Sequence, residues 1–256
     1  MTQVLDHGYV RLVESWGSDE RIVEAARMST GRGFLGWGPK EQPCPRCDGV
    51  ALTVPKAECT RCDGTGKLAS PGDERLLRYL WEHHHETPFE MAGLVIEVQA
   101  PIFVIREWQR HRTQSFNELS ARYVALPEDD YAPSAERIRE GSKPSANKQA
   151  SGAHEMTDFA ASVAHEAIVA AYADIERTYR KLLDLGVPRE LARVVVPVGR
   201  YSRMRASANL RNWLAFLRLR MASDAQWEIR QFARAVATIV EQTYPRTWEL
   251  FAESVA

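Results

Sequence analysis

Residues 3–16 alternate apolar with polar positions, the two-residue period of a strand half buried in a core. From Asp19 the period lengthens. The stretch "DERIVEAARMS", residues 19–29, brings Ile22, Val23 and Ala26 onto one face and predicts a helix. Helical spacing resumes in "DERLLRYLWEHHH" from Asp73, and "AGLVIEVQA", residues 92–100, alternates like a half-buried strand. Pro101 closes that strand and suits the first turn of a helix "PIFVIREWQRHR", on which Arg106 and Arg110 share a face at i,i+4. Residues 158–185 predict a long helix that stops at Gly186, followed by Val187 and Pro188. A further long helix is predicted in "DAQWEIRQFARAVATIVEQTY", residues 224–244. No internal repeat interrupts this order. The expectation is an α+β fold with long helices packed on an antiparallel sheet.

Two stretches break the periodicity. Gly31 to Gly72 is dense in glycine and proline and holds every cysteine of the chain, Cys44, Cys47, Cys59 and Cys62. These form two C-x-x-C pairs with eleven residues between them. Four soft thiolates at this spacing suit a tetrahedral, structural Zn²⁺ with no open coordination position. We therefore expect an inserted zinc knuckle over 36–70 within one domain spanning 1–256. The second break, 128–156, is rich in Pro, Ser, Ala, Gly and charge and reads as a long mobile loop.

The 256 residues are 45% apolar and 26% charged, an ordinary globular composition, and the net charge of −1 offers no general attraction to nucleic acid or to an anionic membrane. No apolar run reaches the roughly 18 residues that span a bilayer, and the first ten residues lack the pattern of a secretory signal. The expected location is the cytoplasm, where paired cysteines bind metal more often than they form disulfides.

Chemistry concentrates in "EWQRHRTQSFNELSARY", residues 107–123. A solvated helix end with a Glu118–Arg122 pair accounts for part of it. It does not account for the Arg110-His111-Arg112 run together with Ser115, Asn117 and Ser120. Guanidinium forks suit phosphates and carbonyl groups, while hydroxyls and amides suit sugars and base edges. A nucleotide or dinucleotide fits this set. "HHHETPFE", from His83, could suggest a metal, but adjacent histidines point in different directions, and contact of one ring with a planar cofactor suits them better. Arg193, Arg200, Arg203, Arg205, Arg211, Arg218 and Arg220 add a late cluster that fits phosphate binding and helix-face salt bridges equally well.

"RHRTQSFNELS", residues 110–120, matches throughout the R-H-R-x-x-S-x-N-E-x-S signature of flavin-dependent thymidylate synthases, and Arg122 and Tyr123 continue the match. The chain resembles that family also in "AARMS" ending at Ser29, "HETPFE", "APIFVIREW", "GVPRELAR" and "NLRNWLAFLRLRMASDAQWEI". The resemblance covers nearly everything except the cysteine insert and 128–156. It implies a homotetramer with sites shared between subunits, which binds FAD and converts dUMP to dTMP. Methylenetetrahydrofolate would supply the carbon and NADPH the electrons. By matching position it implies flavin contacts from Ser29, His85, Thr87, Arg110, His111, Arg112, Glu118, Asn209 and Arg211. It implies dUMP contacts from Glu107, Arg110, Glu118, Ser120, Arg122 and Arg193, with Arg220 activating the uracil. Glu107 stands where some members have Gln, and Ala215 where others have a polar flavin contact. Two other functions fit parts of the sequence: a dUMP hydroxymethylase on the same scaffold, and a zinc-knuckle nucleic-acid-binding protein. The near-zero net charge argues against nucleic acid as the main partner.

Overall fold

The computed structural model describes residues 1–38, 40–44, 46–47, 55, 58–70, 72–143 and 154–255. Along the chain the elements are β1 (Thr2–Val4), β2 (Gly8–Trp16), α1 (Asp19–Arg27), β3 (Lys40–Pro43), β4 (Lys67–Ser70), α2 (Asp73–Glu82), β5 (Gly93–Pro101) and α3 (Ile102–Trp108). There follow β6 (Ser115–Glu118), α4 (Ala135–Ser142), α5 (Asp158–Asp184), α6 (Arg189–Ala192), β7 (Tyr201–Asn209), α7 (Leu210–Arg220), α8 (Trp227–Thr243) and α9 (Pro245–Val255). Helices and antiparallel strands segregate as an α+β fold requires. No helix among the described residues is long and apolar enough to cross a membrane.

The chain divides into two compact units. The first comprises Met1–Ser15 and Gly93–Gln242. Its centre is a five-stranded sheet in the order β1-β2-β5-β7-β6. β5 and β7 pair along their whole length, from Gly93 opposite Asn209 to Pro101 opposite Tyr201. One face presents the fully buried Leu94, Ile96, Val98 and Ala206. Trp213 and Phe216 of α7 and Phe232 of α8 are also fully buried. The Trp213 indole N–H donates to the Leu94 carbonyl at 3.1 Å, so the largest side chain of α7 reaches the sheet without stranding its donor. The other face carries charge. Glu97 accepts from Arg11 at 2.6 Å, Tyr9 at 3.0 Å and its cross-strand partner Arg205 at 3.1 Å.

The second unit comprises Trp16–Ala92 and Thr243–Ala256. α1, α2 and α9 enclose Ile22, Leu77, Leu80 and Phe251. The buried Asp19 carboxylate caps α9, accepting from the Arg246 N–H at 2.9 Å, the Thr247 N–H at 3.1 Å and the Thr247 hydroxyl at 2.6 Å. β3 and β4 form a separate two-stranded ribbon. The chain approaching it is anchored at the start of α2. Asp73 accepts from the N–H groups of Leu35 and Gly36 at 2.7 and 3.2 Å, and Glu74 accepts from that of Gly38 at 2.7 Å.

Several expectations change. The single strand over 3–16 is a pair, β1 and β2, turned by Leu5 at φ 58°. The helix from Pro101 stops at Trp108, so Arg110 lies beyond it and shares no helix face with Arg106. Residues 115–118 form a strand, so Glu118 and Arg122 are not a helical pair; the nearest carboxylate to Arg122 is Glu190, at 3.7 Å. Arg203 and Arg205 alternate outward on β7 instead of lying on a helix. Part of the loop at 128–156 is ordered. α4 lies within it, and Asp130 is pinned to the fully buried Arg200 at 2.8 Å. Residues 144–153 of that stretch lie outside the described residues. The long helix ends as expected, with Gly186 at φ 81°.

Replacing Asp19 by Ala leaves two backbone donors of α9 and a buried hydroxyl without their acceptor. The expected loss is about 2–3 kcal/mol in a urea unfolding titration. A loss below about 0.5 kcal/mol would contradict the capping role.

Candidate active site and metal centre

α3 forms because Val104, Ile105 and Trp108 fall on one face and are buried. Its end throws the chain into a turn. Arg110 N–H donates to the Glu107 carbonyl, His111 N–H to Trp108 and Gln114 N–H to His111, before β6 begins. Two longer-range bonds hold the turn. Buried Gln114 accepts the Trp108 indole proton at 3.0 Å, and the Asn212 amide reaches the Thr113 carbonyl at 3.3 Å. Asn209 caps α7 by accepting from the Asn212 N–H at 3.0 Å.

Arg220, the last residue of α7, points into this turn and is bonded along three edges. Nε donates to His111 Nε2 at 2.8 Å, Nη1 to the Glu107 carboxylate, and Nη2 to the Glu107 carbonyl at 3.1 Å. Because a guanidinium only donates, His111 Nε2 is an acceptor and the ring proton belongs on Nδ1. Burial pushes the His111 pKa down to about 4, and the Arg220 charge pushes it the same way, so the ring is neutral at pH 7. Phe216 packs edge-on against it, ring centres 4.9 Å apart. The Glu107 carboxyl is held above its ordinary pKa by burial and by the charge of Glu228, against the pull of Arg220.

The sequence-predicted nucleotide residues fall into two groups within the first unit. Glu107 and Arg220 line a cavity of about 750 Å³ together with Arg137 and Trp227. Glu118, Ser120 and Arg193 line another of about 700 Å³. Arg122 lies over the Tyr123 ring at 5.7 Å. Arg110 and Arg112 are exposed and make no side-chain hydrogen bond or ion pair among the described residues. Ser29, His85 and Thr87 belong to the second unit. There Ser29 bonds the Ala26 carbonyl at 3.1 Å, and His85 meets the Tyr79 ring edge-on at 5.6 Å.

Sequence reasoning missed the supports. Ser202 and Gln109 orient Glu118, donating to its two oxygens at 2.8 and 3.2 Å. Glu228 accepts the Arg137 fork at 2.8 and 3.3 Å and the Tyr131 hydroxyl at 3.2 Å. The alternation of β7 placed Ser202 on the inner side, but no local motif marks Gln109, Tyr131 or Arg137.

A family model described as "Thymidylate synthase complementing protein" matches residues 11–246. A flavin-dependent thymidylate synthase of Thermus thermophilus is 40% identical over 250 residues, covering 98% of this chain and 77% of that protein. The chain belongs to the flavin-dependent thymidylate synthase family. Another member, from Thermosipho melanesiensis, is 37% identical over 252 residues, covering 97% of this chain and 92% of that one. Among solved structures, the UMP/dUMP methylase PolB from Streptomyces cacaoi bound with 5-Br dUMP superposes with a TM-score of 0.72. It is 32% identical, with 98% of this chain and 97% of that chain covered. The same enzyme bound with 5-Br UMP gives a TM-score of 0.74 at 29% identity.

As a flavin-dependent synthase the chain must accommodate a flavin dinucleotide. The first unit offers what its anionic pyrophosphate needs, the exposed guanidinium groups of Arg110 and Arg112, with no competing carboxylate bonded to them among the described residues. The donor set and the cofactor's charge are therefore compatible.

The cysteine pairs converge as their spacing suggested. All four thiols are buried, and their sulfur atoms lie within 4.8 Å of one another. Cys44 and Cys59 are 3.8 Å apart, and Cys47 and Cys62 are 3.5 Å apart. Zinc–sulfur bonds of about 2.3 Å place tetrahedral thiolates about 3.8 Å apart, so the cluster has the size of a Zn²⁺ site. The Gly66 N–H donates to Cys62 Sγ at 3.2 Å, as a ligand thiolate requires. It is the one four-ligand cluster found among the described residues, and the histidines at 83–85 join none.

Nitrogen chemical shifts of the His111 ring test the clamp. They are expected to remain those of a neutral Nδ1–H tautomer as pH falls from 7 to 5.5. A titration near the ordinary value of 6.5 would contradict it. Because the folded pKa is depressed, the unfolded chain takes up the proton first, and stability is expected to fall as pH is lowered from about 6.5 to about 4.

Proposed function

We propose that this chain makes dTMP from dUMP, taking the carbon from methylenetetrahydrofolate and electrons from NADPH through bound FAD, without a cysteine nucleophile. The observation that carries this reading is Arg220, aimed into a cavity by Glu107 and the neutral His111. C5 of uracil is a weak nucleophile. A thiolate adding at C6 would activate it, but every cysteine of the chain lies in the metal-sized cluster. Stabilising negative charge on the uracil ring achieves the same end. A fixed guanidinium beside N3 and the adjacent carbonyl does so most strongly where water is excluded. Neutral His111 accepts a hydrogen bond from the Arg220 Nε–H without repelling its charge; a protonated ring would do the opposite. When bound, FAD supplies the hydride that completes the methyl group.

In this reading Glu107, Arg110, Glu118, Ser120, Arg122 and Arg193 hold dUMP. Ser29, His85, Thr87, Arg110, His111, Arg112, Glu118, Asn209 and Arg211 hold the flavin. The division of the nucleotide residues between two cavities of one chain is what a homotetramer sharing its sites would produce. The four cysteines hold a structural Zn²⁺ in a knuckle spanning 36–70, inserted into one synthase domain of 1–256. Such thiols stay metal-ready in a reducing cytoplasm. Because PolB was solved with both a deoxyribonucleotide and a ribonucleotide analogue, UMP is a second substrate to test.

Mass spectrometry of the product from dUMP, methylenetetrahydrofolate, NADPH and FAD is expected to give dTMP. Accumulation of 5-hydroxymethyl-dUMP would overturn the methylation. Arg220→Ala is expected to keep flavin and lose about 10²–10³-fold in turnover. Unchanged turnover would remove Arg220 from its role. The purified chain is expected to carry about one zinc per polypeptide by atomic emission, and Cys59→Ser together with Cys62→Ser to carry none. Full metal content in that double variant would contradict the site.

A further inference from the structure

We infer that Arg106, which the family resemblance does not assign, is a second guanidinium ligand for a phosphate monoester in the cavity lined by Ser120 and Arg193. The inference rests on the proposal that this cavity receives dUMP, and it names the substrate's 5′-phosphate as the group held there.

Arg106, Arg193, Ser120, Ser202, Glu118 and Glu190 line the cavity. Each acid already has a partner. Glu118 accepts from Ser202 and Gln109 on its two oxygens, and Glu190 lies 3.7 Å from Arg122. Among the described residues neither arginine has a carboxylate bonded to it. Arg193 donates only to the Glu190 backbone carbonyl, at 3.3 Å, and the Arg106 side chain makes no hydrogen bond or ion pair among the described residues. Ser120 Oγ accepts from the Arg122 N–H at 3.4 Å, which leaves its own proton to donate. The cavity therefore offers two open guanidinium forks and a free hydroxyl proton, the donor set for a dianion. Helix geometry explains the placement. Successive helical residues point about 100° apart, so α3 sends Glu107 to Arg220 in one cavity and Arg106 into the other. One short helix thus addresses both the base and the phosphate.

The test compares dUMP with deoxyuridine, which lacks the phosphate. Their dissociation constants are read from perturbation of the flavin spectrum in the full-length, FAD-loaded protein. Arg106→Gln is expected to weaken dUMP by about 10- to 100-fold and leave deoxyuridine unchanged. Arg106→Lys, a milder change should the first variant fold poorly, is expected to recover part of the loss. Arg193→Gln serves as the reference. If it narrows the preference for dUMP while Arg106→Gln does not, the inference about Arg106 fails and the proposed dUMP cavity survives. If neither variant narrows it, the cavity does not hold the phosphate. Equal weakening of both ligands by Arg106→Gln would also overturn the inference, because it would place Arg106 in general positioning.

Discussion

The bonds around the Arg220 guanidinium are the constraint on which the first unit's chemistry depends. A permanent positive charge in a partly closed cavity is costly unless every N–H is used and a negative group is near. Glu107 supplies the charge and a carbonyl, and His111 supplies an uncharged acceptor. The neutral ring is as important as the carboxylate. A cationic His111 would push Arg220 away, and a second carboxylate would cancel the charge that a uracil ring is to feel. Burial, added to the arginine's own field, keeps the imidazole unprotonated. Structure and protonation state therefore enforce one another.

The fold meets this constraint by fixing two helix ends that are far apart in sequence. α3 ends against the packed Trp108, whose ring stacks on Phe216 of α7 with centres 4.6 Å apart. The same Phe216 meets His111 edge-on. One aromatic contact set thus holds both the helix that ends in Arg220 and the turn that carries its partners. The nine-residue pairing of β5 with β7 orders the elements on either side, since α3 leaves β5 directly and α7 leaves β7 directly. Ser202 on β7 then orients Glu118 from below.

Some of this was legible in the sequence. The long amphipathic helices and β5 followed from their periods, because each buries one face against one layer. The cysteine site followed from spacing, since four thiols in two short loops have few other places to go. The motif at 110–120 was legible because its members are contiguous. What was not legible depends on long-range pairing. β7 reads as an arginine-rich stretch because its outer face is charged, and Arg200 is buried only because Asp130 and Glu176 reach it. β6 is four residues long, too short for a period to declare itself against the helical residues before it. The His111–Arg220 bond spans 109 positions, and nothing in either local sequence announces it. Arg106 stands out in the sequence only as a helix-face neighbour of Arg110, a relation the early end of α3 removes.

The most direct test of the central claim, that this site brings a flavin and a uracil nucleotide together around Arg220, is anaerobic absorption spectroscopy of the FAD-loaded protein. NADPH is added with and without dUMP, and bleaching of the flavin's visible band is followed in time. Faster bleaching is expected with dUMP present, and loss of that acceleration in Arg220→Ala. Failure to bind FAD at all, or reduction indifferent to dUMP, would contradict it.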